Sequence, residues 1–399
     1  MPTSDRGSGP VRVQEVSSRS DRNEFVRLEW RLNANRPLWV PPLLSDQRRF
    51  LDPRHPARSY CDATFALARR GGVLVGRIAG IVNRRYNEKI GARNARFGFL
   101  ECIDDPDVVR ALLDHVEGWA AGRGLDRIVG PMGYTDQDAE GLLIDGFQYE
   151  PTIATYFNPE YYVRLIEGCG YAKEVDYVVY RLDVPEELPD LYRRILERRT
   201  SRSAFRLVEF TGKRELKPYI EPVLHLMGIA YDGIYGFVAP TPEERRELAR
   251  QYLPLLDPRF VKVAEKEGDV VGFVIGMPNL APGLRAANGR LFPFGFLPVL
   301  RAMRRSRQLD LLLGGVRADC RGRGVDALLG AAMIREAQRG GFRLIDSHHE
   351  LEENRAMRAE MERMGGVVYK RYRVYGKPLE GAAVEPGREA AAKPESLTV

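Results

Sequence analysis

The sequence predicts an α/β (α+β) fold in which one unit, a mixed twisted sheet flanked by helices, occurs twice in tandem. Three observations predict it. One stretch of the 399-residue chain returns 216 residues later, and a second returns 195 residues later in the same order. Short apolar runs also alternate with amphipathic, helix-like stretches through both copies.

Taken in order, residues 1–10 are rich in Ser, Gly and Pro and are expected to be disordered. The first copy is expected over 11–183. Apolar runs at Thr64–Ala68 and Val73–Val82 read as strands. Ala111-Leu112-Leu113 then opens the first repeated block and returns as Ala327-Leu328-Leu329. At the same offset Arg123-Gly124 becomes Arg339-Gly340, and Arg127-Ile128-Val129 becomes Arg343-Leu344-Ile345. Each block reads as a helix, a glycine stop and a short strand. In the second block Glu167, Gly170, Tyr177, Val179 and Tyr180 return as Glu362, Gly365, Tyr372, Val374 and Tyr375, a helix closing on glycine before an aromatic strand. The drop from 216 to 195 leaves about 21 extra residues in the first copy, and Pro131–Pro159 is the natural place for them. The turn-rich Asp183–Pro189 is the expected boundary. The second copy is expected over 190–378, with strands at Val261–Glu265, Val270–Gly276 and Leu309–Val316. Residues 379–399, rich in Ala, Glu, Pro and Gly, are expected to be a disordered tail.

Hydrophobic content of 44% and charged content of 29% allow sizeable cores. The formal net charge of +6 suits anionic partners without choosing among a nucleotide cofactor, an acidic membrane and RNA. Cys61, Cys102, Cys169 and Cys320 lie far apart and form no metal-ligand spacing, so no metal and a reduced chain are expected. No secretory signal opens the chain and no apolar run approaches the ~20 residues that span a bilayer. A cytoplasmic protein, with the option of peripheral contact at the inner face of the membrane, is the expectation.

The sharpest chemical signal is Val316-Arg317-Ala318-Asp319-Cys320-Arg321-Gly322-Arg323-Gly324-Val325, between a strand and a helix. Glycines here let the backbone turn with its N–H groups exposed at a helix N-terminus, an arrangement suited to a pyrophosphate. Arg321 and Arg323 can add charge-assisted bonds. An ordinary basic loop before a helix reads the same way. Here the chain resembles the GNAT acyltransferase superfamily, whose acyl-CoA signature matches Val316, Arg321 and Gly324 in spacing. Ala318 stands where the family has proline, and Asp326 where it has a small residue; Asp326 is expected to point away or to cap the helix. Asn354 with Met357 matches the family's second landmark, while Met361 occupies the position of its tyrosine acid. The resemblance implies acyl-CoA as co-substrate, held by Gly315, Val316, Arg321, Gly322, Arg323, Gly324, Val325 and Asn354. In the first copy the equivalent of Cys320–Asp326 is Asp104-Asp105-Pro106-Asp107-Val108-Val109-Arg110, which would repel a pyrophosphate. That copy is expected to serve as support or as part of an acceptor site.

Over nearly the whole of Val11–Pro378 the chain resembles the bacterial ceramide-synthase-like group of tandem GNAT proteins. The strings that carry this are Gly130-Pro131-Met132, Gly141–Phe147, Tyr156–Tyr162, Gly289–Phe294 and Leu351–Asn354. The resemblance implies acyl transfer from acyl-CoA to an amine, such as that of a sphingoid base. In Pro131–Pro159, Tyr134, Tyr156 and Asn158 are candidate substrate residues, in company with Asp136, Gln137, Asp138, Tyr149 and Glu150; capping of the first lobe is the other reading. Leu280–Arg307 interleaves Phe292, Phe294, Phe296, Leu297, Leu300 and Met303 with Arg301, Arg304, Arg305 and Arg307. It suits an acyl tunnel mouth lined by Phe292 and Phe294, a peripheral membrane contact through 280–307, or a packed loop with a solvated basic helix.

An amine nucleophile is protonated at neutral pH and needs a base. The second-copy strand Arg343–Glu350 carries Asp346, His348, His349 and Glu350, followed by Glu352 and Glu353. Alternation places Asp346, His348 and Glu350 on one face, with Ser347 and His349 on the other. His348, Asp346, Glu350 and Glu352 are the candidate catalytic set; mutual pairing of these histidines and acids is the alternative. Backbone N–H groups near Gly315 or Val316 would stabilise the oxyanion. The leaving thiolate would depart unassisted or take a proton from Tyr369, Tyr372 or Tyr375. Two other functions fit the same pattern: a non-catalytic acyl-CoA-binding module, favoured by Asp326 and Met361, and an aminoacyl-tRNA-dependent transferase. Nucleic acid is the less expected partner, because such an enzyme needs no pyrophosphate loop.

Overall fold

The structure, a computed structural model, describes residues 9–136, 138–153, 155–197 and 204–379. The disorder expected for 1–10 and 379–399 concerns mostly residues outside the described ones. Gly9, Pro10 and Leu379 are described: the first two are exposed, whereas Leu379 is buried and its N–H donates to Asp126 O at 2.9 Å.

In chain order the elements are β1 (Val11–Glu15), α1 (Arg19–Asn33), α2 (Leu44–Phe50), β2 (Cys61–Arg70), β3 (Val73–Asn83), α3 (Arg84–Ile90), β4 (Asn94–Cys102), α4 (Pro106–Ala121), β5 (Arg127–Gly130), β6 (Leu142–Asp145), α5 (Tyr161–Glu167) and β7 (Ala172–Asp183). The second copy continues with α6 (Asp190–Glu197), β8 (Arg206–Glu209), α7 (Lys213–Ala230), α8 (Pro242–Tyr252), β9 (Val261–Lys266), β10 (Asp269–Pro278), α9 (Ala281–Ala287), α10 (Phe296–Arg305), β11 (Gln308–Val316), α11 (Val325–Arg339), β12 (Leu344–Leu351), α12 (Arg355–Arg363) and β13 (Val367–Pro378). The repeat is therefore structural. A strand, two helices and three antiparallel strands precede a helix–strand–helix–strand run in each copy, β1 to β7 and β8 to β13.

The chain forms two compact units. The first takes the chain up to Val178, Ala281–Val299 and the end from Lys370; the second takes Val179–Leu280 and Leu300–Tyr369. The units thus differ from two contiguous halves split at 183–190. Ala281–Val299 joins the first unit through backbone bonds: Leu44 N donates to Gly289 O at 2.9 Å, and Trp30 Nε1 to Asn288 O at 3.3 Å. Gly289 lies so close that a Cβ on it would meet Pro42 O at 2.2 Å. The chain end joins because β13 pairs antiparallel with β5, Tyr375 opposite Gly130, giving β5 its second partner.

In the first unit β1, β2, β3 and β4 pair antiparallel and β4 pairs parallel with β5. Helix α4 covers this sheet because its apolar positions recur at helical spacing: Val108, Val109, Leu112, Leu113, Val116 and Ala120 are all buried. In the second unit β8, β9, β10 and β11 pair antiparallel and β11 pairs parallel with β12. Helix α11 covers that sheet with Val325, Leu328, Leu329 and Ala332. A matching pair of glycines lets each helix sit close. A Cβ on Gly76 would come within 2.8 Å of Leu112, and one on Gly272 within 2.7 Å of Val325.

Candidate functional site

In the second unit β11 and β12 pair only at Gln308–Leu344, Leu309–Ile345 and Asp310–Asp346. Beyond Asp310, the edge of β11 from Leu311 to Val316 has no strand partner on that side among the described residues, although its other edge stays paired to β10. An irregularity in the β10–β11 register at Ile275/Gly276 accompanies the departure. Tyr231, which follows α7, meets this edge: its hydroxyl donates to Gly314 O at 2.9 Å and accepts from Gly314 N at 3.0 Å.

At the end of this edge the loop 316–325 leads into α11. Gly322 and Gly324 hold left-handed backbone, φ +64° and +84°, and both face open space where a Cβ would sit. Gly324 is the N-cap of α11, and no side chain caps the helix. The N–H groups of its first turn therefore point outward uncompensated, at the positive end of the helix dipole. Cys320 is buried and roots the loop. Arg321 turns inward, donating from Nε to Val316 O at 3.2 Å and from its terminal nitrogen to Ala230 O at 3.3 Å. It braces the loop, which leaves Arg323, exposed at the tip, as the guanidinium available to an anion. Asp326 is exposed and does not cap the helix, since the cap position belongs to Gly324.

The same place in the first unit is closed twice over. Asp105 caps α4, accepting from Asp107 N at 3.0 Å, and Pro106 at the first helical position has no N–H. Arg70 pairs with Asp105 at 3.0 Å and with Asp107 at 3.3 Å. Between β4 and β5, whose pairing also ends after three residues, the chain fills the gap with its own backbone. Met132 N donates to Phe97 O at 2.8 Å, and Gly98 leaves room for Met132 O. Asn83 and Arg96 donate to Tyr134 O, at 2.9 and 3.1 Å.

On β12 the expected alternation fails. His348 has φ +62°, and this kink lets the His348 and His349 rings stack, with centroids 4.9 Å apart and planes at 4°, rather than fall on opposite faces. Asp346 is fully buried. Its carboxylate accepts from His348 N at 2.8 Å and from the Tyr369 hydroxyl, and so holds the kink rather than standing as a free base. Ser347 accepts from Tyr180 N at 2.9 Å. Burial pushes the Glu350 carboxyl up to about 8. Glu352 is half-buried at the turn after β12, its backbone oxygen accepting from Arg358 at 3.0 Å. Asn354 caps α12, accepting from Met357 N at 3.3 Å, and Met361 packs inside. Of the three candidate proton donors, Tyr369 serves Asp346, while Tyr372 and Tyr375 belong to the first unit, with Tyr375 donating to Glu167 at 3.1 Å.

Two of the three candidate substrate residues of the first copy, Tyr134 and Asn158, bond within that copy. Tyr134 is buried, stacks on Phe50 with centroids 4.0 Å apart and donates to Phe50 O at 3.1 Å. Asn158 is buried and bonds both Leu143 N and Leu143 O, at 2.7 and 3.1 Å. Burial raises the Tyr156 phenol above its ordinary range. The loop also contains β6, which pairs with β13. Beside it burial lifts Asp136 to about 7, Asp138 to about 6 and Glu140 to about 8. Phe292 and Phe294 are 84% and 72% exposed, so they line no tunnel within their own unit. Sequence reasoning missed Tyr231 and the open edge of β11; Gly314-Gly315 closing an apolar strand was the available signal. Among the described residues no cluster of His, Cys, Asp and Glu could hold a metal ion.

Known proteins resemble the chain in sequence and in fold. The chain is 28% identical over 385 residues to the bacterial ceramide synthase of Caulobacter vibrioides, covering 94% of this chain and 99% of that protein. It is 26% identical over 375 residues to protein YghO of Escherichia coli, covering 92% and 95%. Among solved structures it resembles a tandem GNAT protein from the clavulanic acid biosynthesis pathway, with TM-score 0.54 and 15% identity over 92% of this chain and 98% of that one. A GCN5-related N-acetyltransferase from Sphaerobacter thermophilus matches with TM-score 0.50 and 15% identity over 92% and 96%. No family profile matches the chain.

Proposed function

We propose that this chain, an acyltransferase carrying two GNAT folds in tandem, moves an acyl group from acyl-CoA to the amine of a long-chain, sphingoid-type lipid. The observation that carries the proposal is the contrast between α11 and α4. They occupy one position of the repeat, yet α11 begins at an uncapped glycine in open space and α4 at a carboxylate that satisfies its own helix. A pyrophosphate fits the first and is excluded from the second. Apart from Gly314, whose N–H and carbonyl meet the Tyr231 hydroxyl, the unpaired edge of β11 suits the extended, amide-bearing arm of coenzyme A, which can bond to it as a strand would. The lipid acceptor rests on the likeness to a bacterial ceramide synthase across nearly the full length of both chains.

In this reading the acceptor amine loses a proton to Glu350, whose pKa of about 8 matches the task, or to His348 beside it. The neutral nitrogen attacks the thioester carbonyl and the C–N bond forms; as the C–S bond breaks, the proton that this nitrogen sheds passes to the leaving thiolate. N–H groups on the open edge of β11 bind the oxyanion in between. Asp346 and Tyr369 set the position of His348 and are positioning residues.

Calorimetry with acetyl-CoA and palmitoyl-CoA tests the proposal. Tighter palmitoyl-CoA binding with a negative heat-capacity change supports a long acyl donor, and no binding of either removes the proposal. Gly324→Asp is expected to weaken coenzyme A binding at least ~100-fold, since it places a carboxylate and a strained backbone where the anion sits. Unchanged affinity would reject the site. Binding without turnover on any amine would favour the binding-module reading, which Met361 packed in the interior leaves without a tyrosine acid.

A further inference from the structure

Seven large apolar side chains are exposed among the described residues, and five fall within nine consecutive positions: Phe292, Phe294, Phe296, Leu297 and Leu300. The segment is a turn running into α10. Val299, 3% exposed, marks the inward face of the helix; Leu297 lies opposite it and is 53% exposed, and Phe296 and Leu300, four residues apart, flank it and are also exposed. Arg301, Arg304 and Arg305 are exposed on the same helix.

The charge around these side chains is one-sided. Residues 270–309 are forty consecutive positions with six arginines and no carboxylate. Two of the six are engaged in the protein: Arg285 with Glu150 at 2.8 Å, and Arg307 with Gly341 O at 2.7 Å. Arg290, Arg301, Arg304 and Arg305 meet no carboxylate partner among the described residues. Side chains as exposed as Phe292 and Phe294 contribute no packing, and an apolar patch ringed by cations marks an interaction surface. A ten-residue helix is far too short to cross a bilayer, but it can lie in the interface with its apolar side chains among the acyl chains and its guanidinium groups at the phosphates.

We infer that Phe292–Arg305 is a membrane-docking element that seats the protein on an anionic lipid surface. Phe292, Phe294, Leu297 and Leu300 enter the bilayer, and Arg301, Arg304 and Arg305 pair with anionic headgroups. The inference stands on this surface alone and does not need the identity of the acceptor.

Flotation with vesicles of phosphatidylcholine, alone or mixed equally with phosphatidylglycerol, tests it. The full chain is expected to float with the mixed vesicles, to stay behind with the neutral ones, and to be released by salt. Arg304→Gln with Arg305→Gln should lower partitioning by roughly fivefold per arginine, and Leu297→Asp with Leu300→Asp should abolish it. Leu297→Trp supplies a readout independent of any loss of fold: its fluorescence should shift to the blue on mixed vesicles and be quenched by brominated lipid. Equal binding to both vesicle types, no binding, or an unshifted tryptophan overturns the inference. So does self-association or RNA binding that accounts for the same residues. Acetyl-CoA binding in vesicle-free buffer is read separately, so a protein that holds acetyl-CoA but ignores vesicles loses the docking element and keeps its proposed chemistry.

Discussion

At Gly324 the backbone φ of +84° favours a residue without a Cβ, and the open space beside it leaves the helix start accessible. That preference was legible, because Gly322 and Gly324 follow an apolar strand and precede a helix. The roles of their neighbours were not. Arg321 looked like an anion ligand and bonds the backbone carbonyls of Val316 and Ala230, while Asp326, expected to point away or to cap the helix, is exposed and leaves the cap to Gly324. An arginine's reach of several bonds lets backbone carbonyls on another element compete for it, and adjacency in sequence does not reveal those carbonyls. On β12, His348 was expected to share a face with Asp346 and Glu350. Its positive φ undoes that, since alternation holds only while the backbone stays extended. Glu350 carries the sharpest prediction at this scale. A base must be deprotonated to act, so with a carboxyl near 8 the value of kcat/KM should rise tenfold per pH unit below about 8 and level above it. Glu350→Gln should lower the rate by roughly 10²-fold or more and remove that limb; a variant that keeps both rate and profile would pass the role to His348.

Elements repeat more faithfully than residues. Helices α4 and α11 each bury a stripe spaced by three and four residues against a glycine of the neighbouring hairpin. The pairs Gly76/Gly80 and Gly272/Gly276 form a further repeated block, 196 residues apart, that comparison of the chain with itself could have found. What separates the two copies is the first turn of one helix. Asp105 accepts from Asp107 N and pairs with Arg70, so its removal should cost α4 about 1–2 kcal/mol. Asp105→Ala is therefore expected to lower the urea midpoint without changing the slope, as measured by circular dichroism, while coenzyme A binding stays unchanged. The long loop of the first copy was rightly singled out as unusual, yet its aromatic and amide side chains are spent on its own packing. Tyr134 and Asn158 satisfy backbone groups that a segment of this length must bury.

For the molecule as a whole, the order of elements and the order of packing are different things. Ala281–Val299 and the chain from Lys370 belong with the first unit. A fragment of residues 11–183 therefore lacks both α9 and the strand that pairs with β5. Expressed alone, it is expected to be insoluble or to lack a cooperative melting transition, whereas the full chain melts cooperatively; a sharp, reversible transition in the fragment would contradict this. No helix among the described residues is long and apolar enough to cross a membrane. The sequence by itself determined that there are two copies of one unit, and which helix start opens on glycines and which on carboxylates and a proline, because these are local matters of periodicity, glycine and charge. Only the tertiary structure decided where the last strand pairs, where the gap beside β11 opens and the gap beside β4 is filled, and which arginines and tyrosines are already engaged. Those outcomes depend on contacts between residues tens to hundreds of positions apart, which compete for one another's backbone groups in ways no local pattern records.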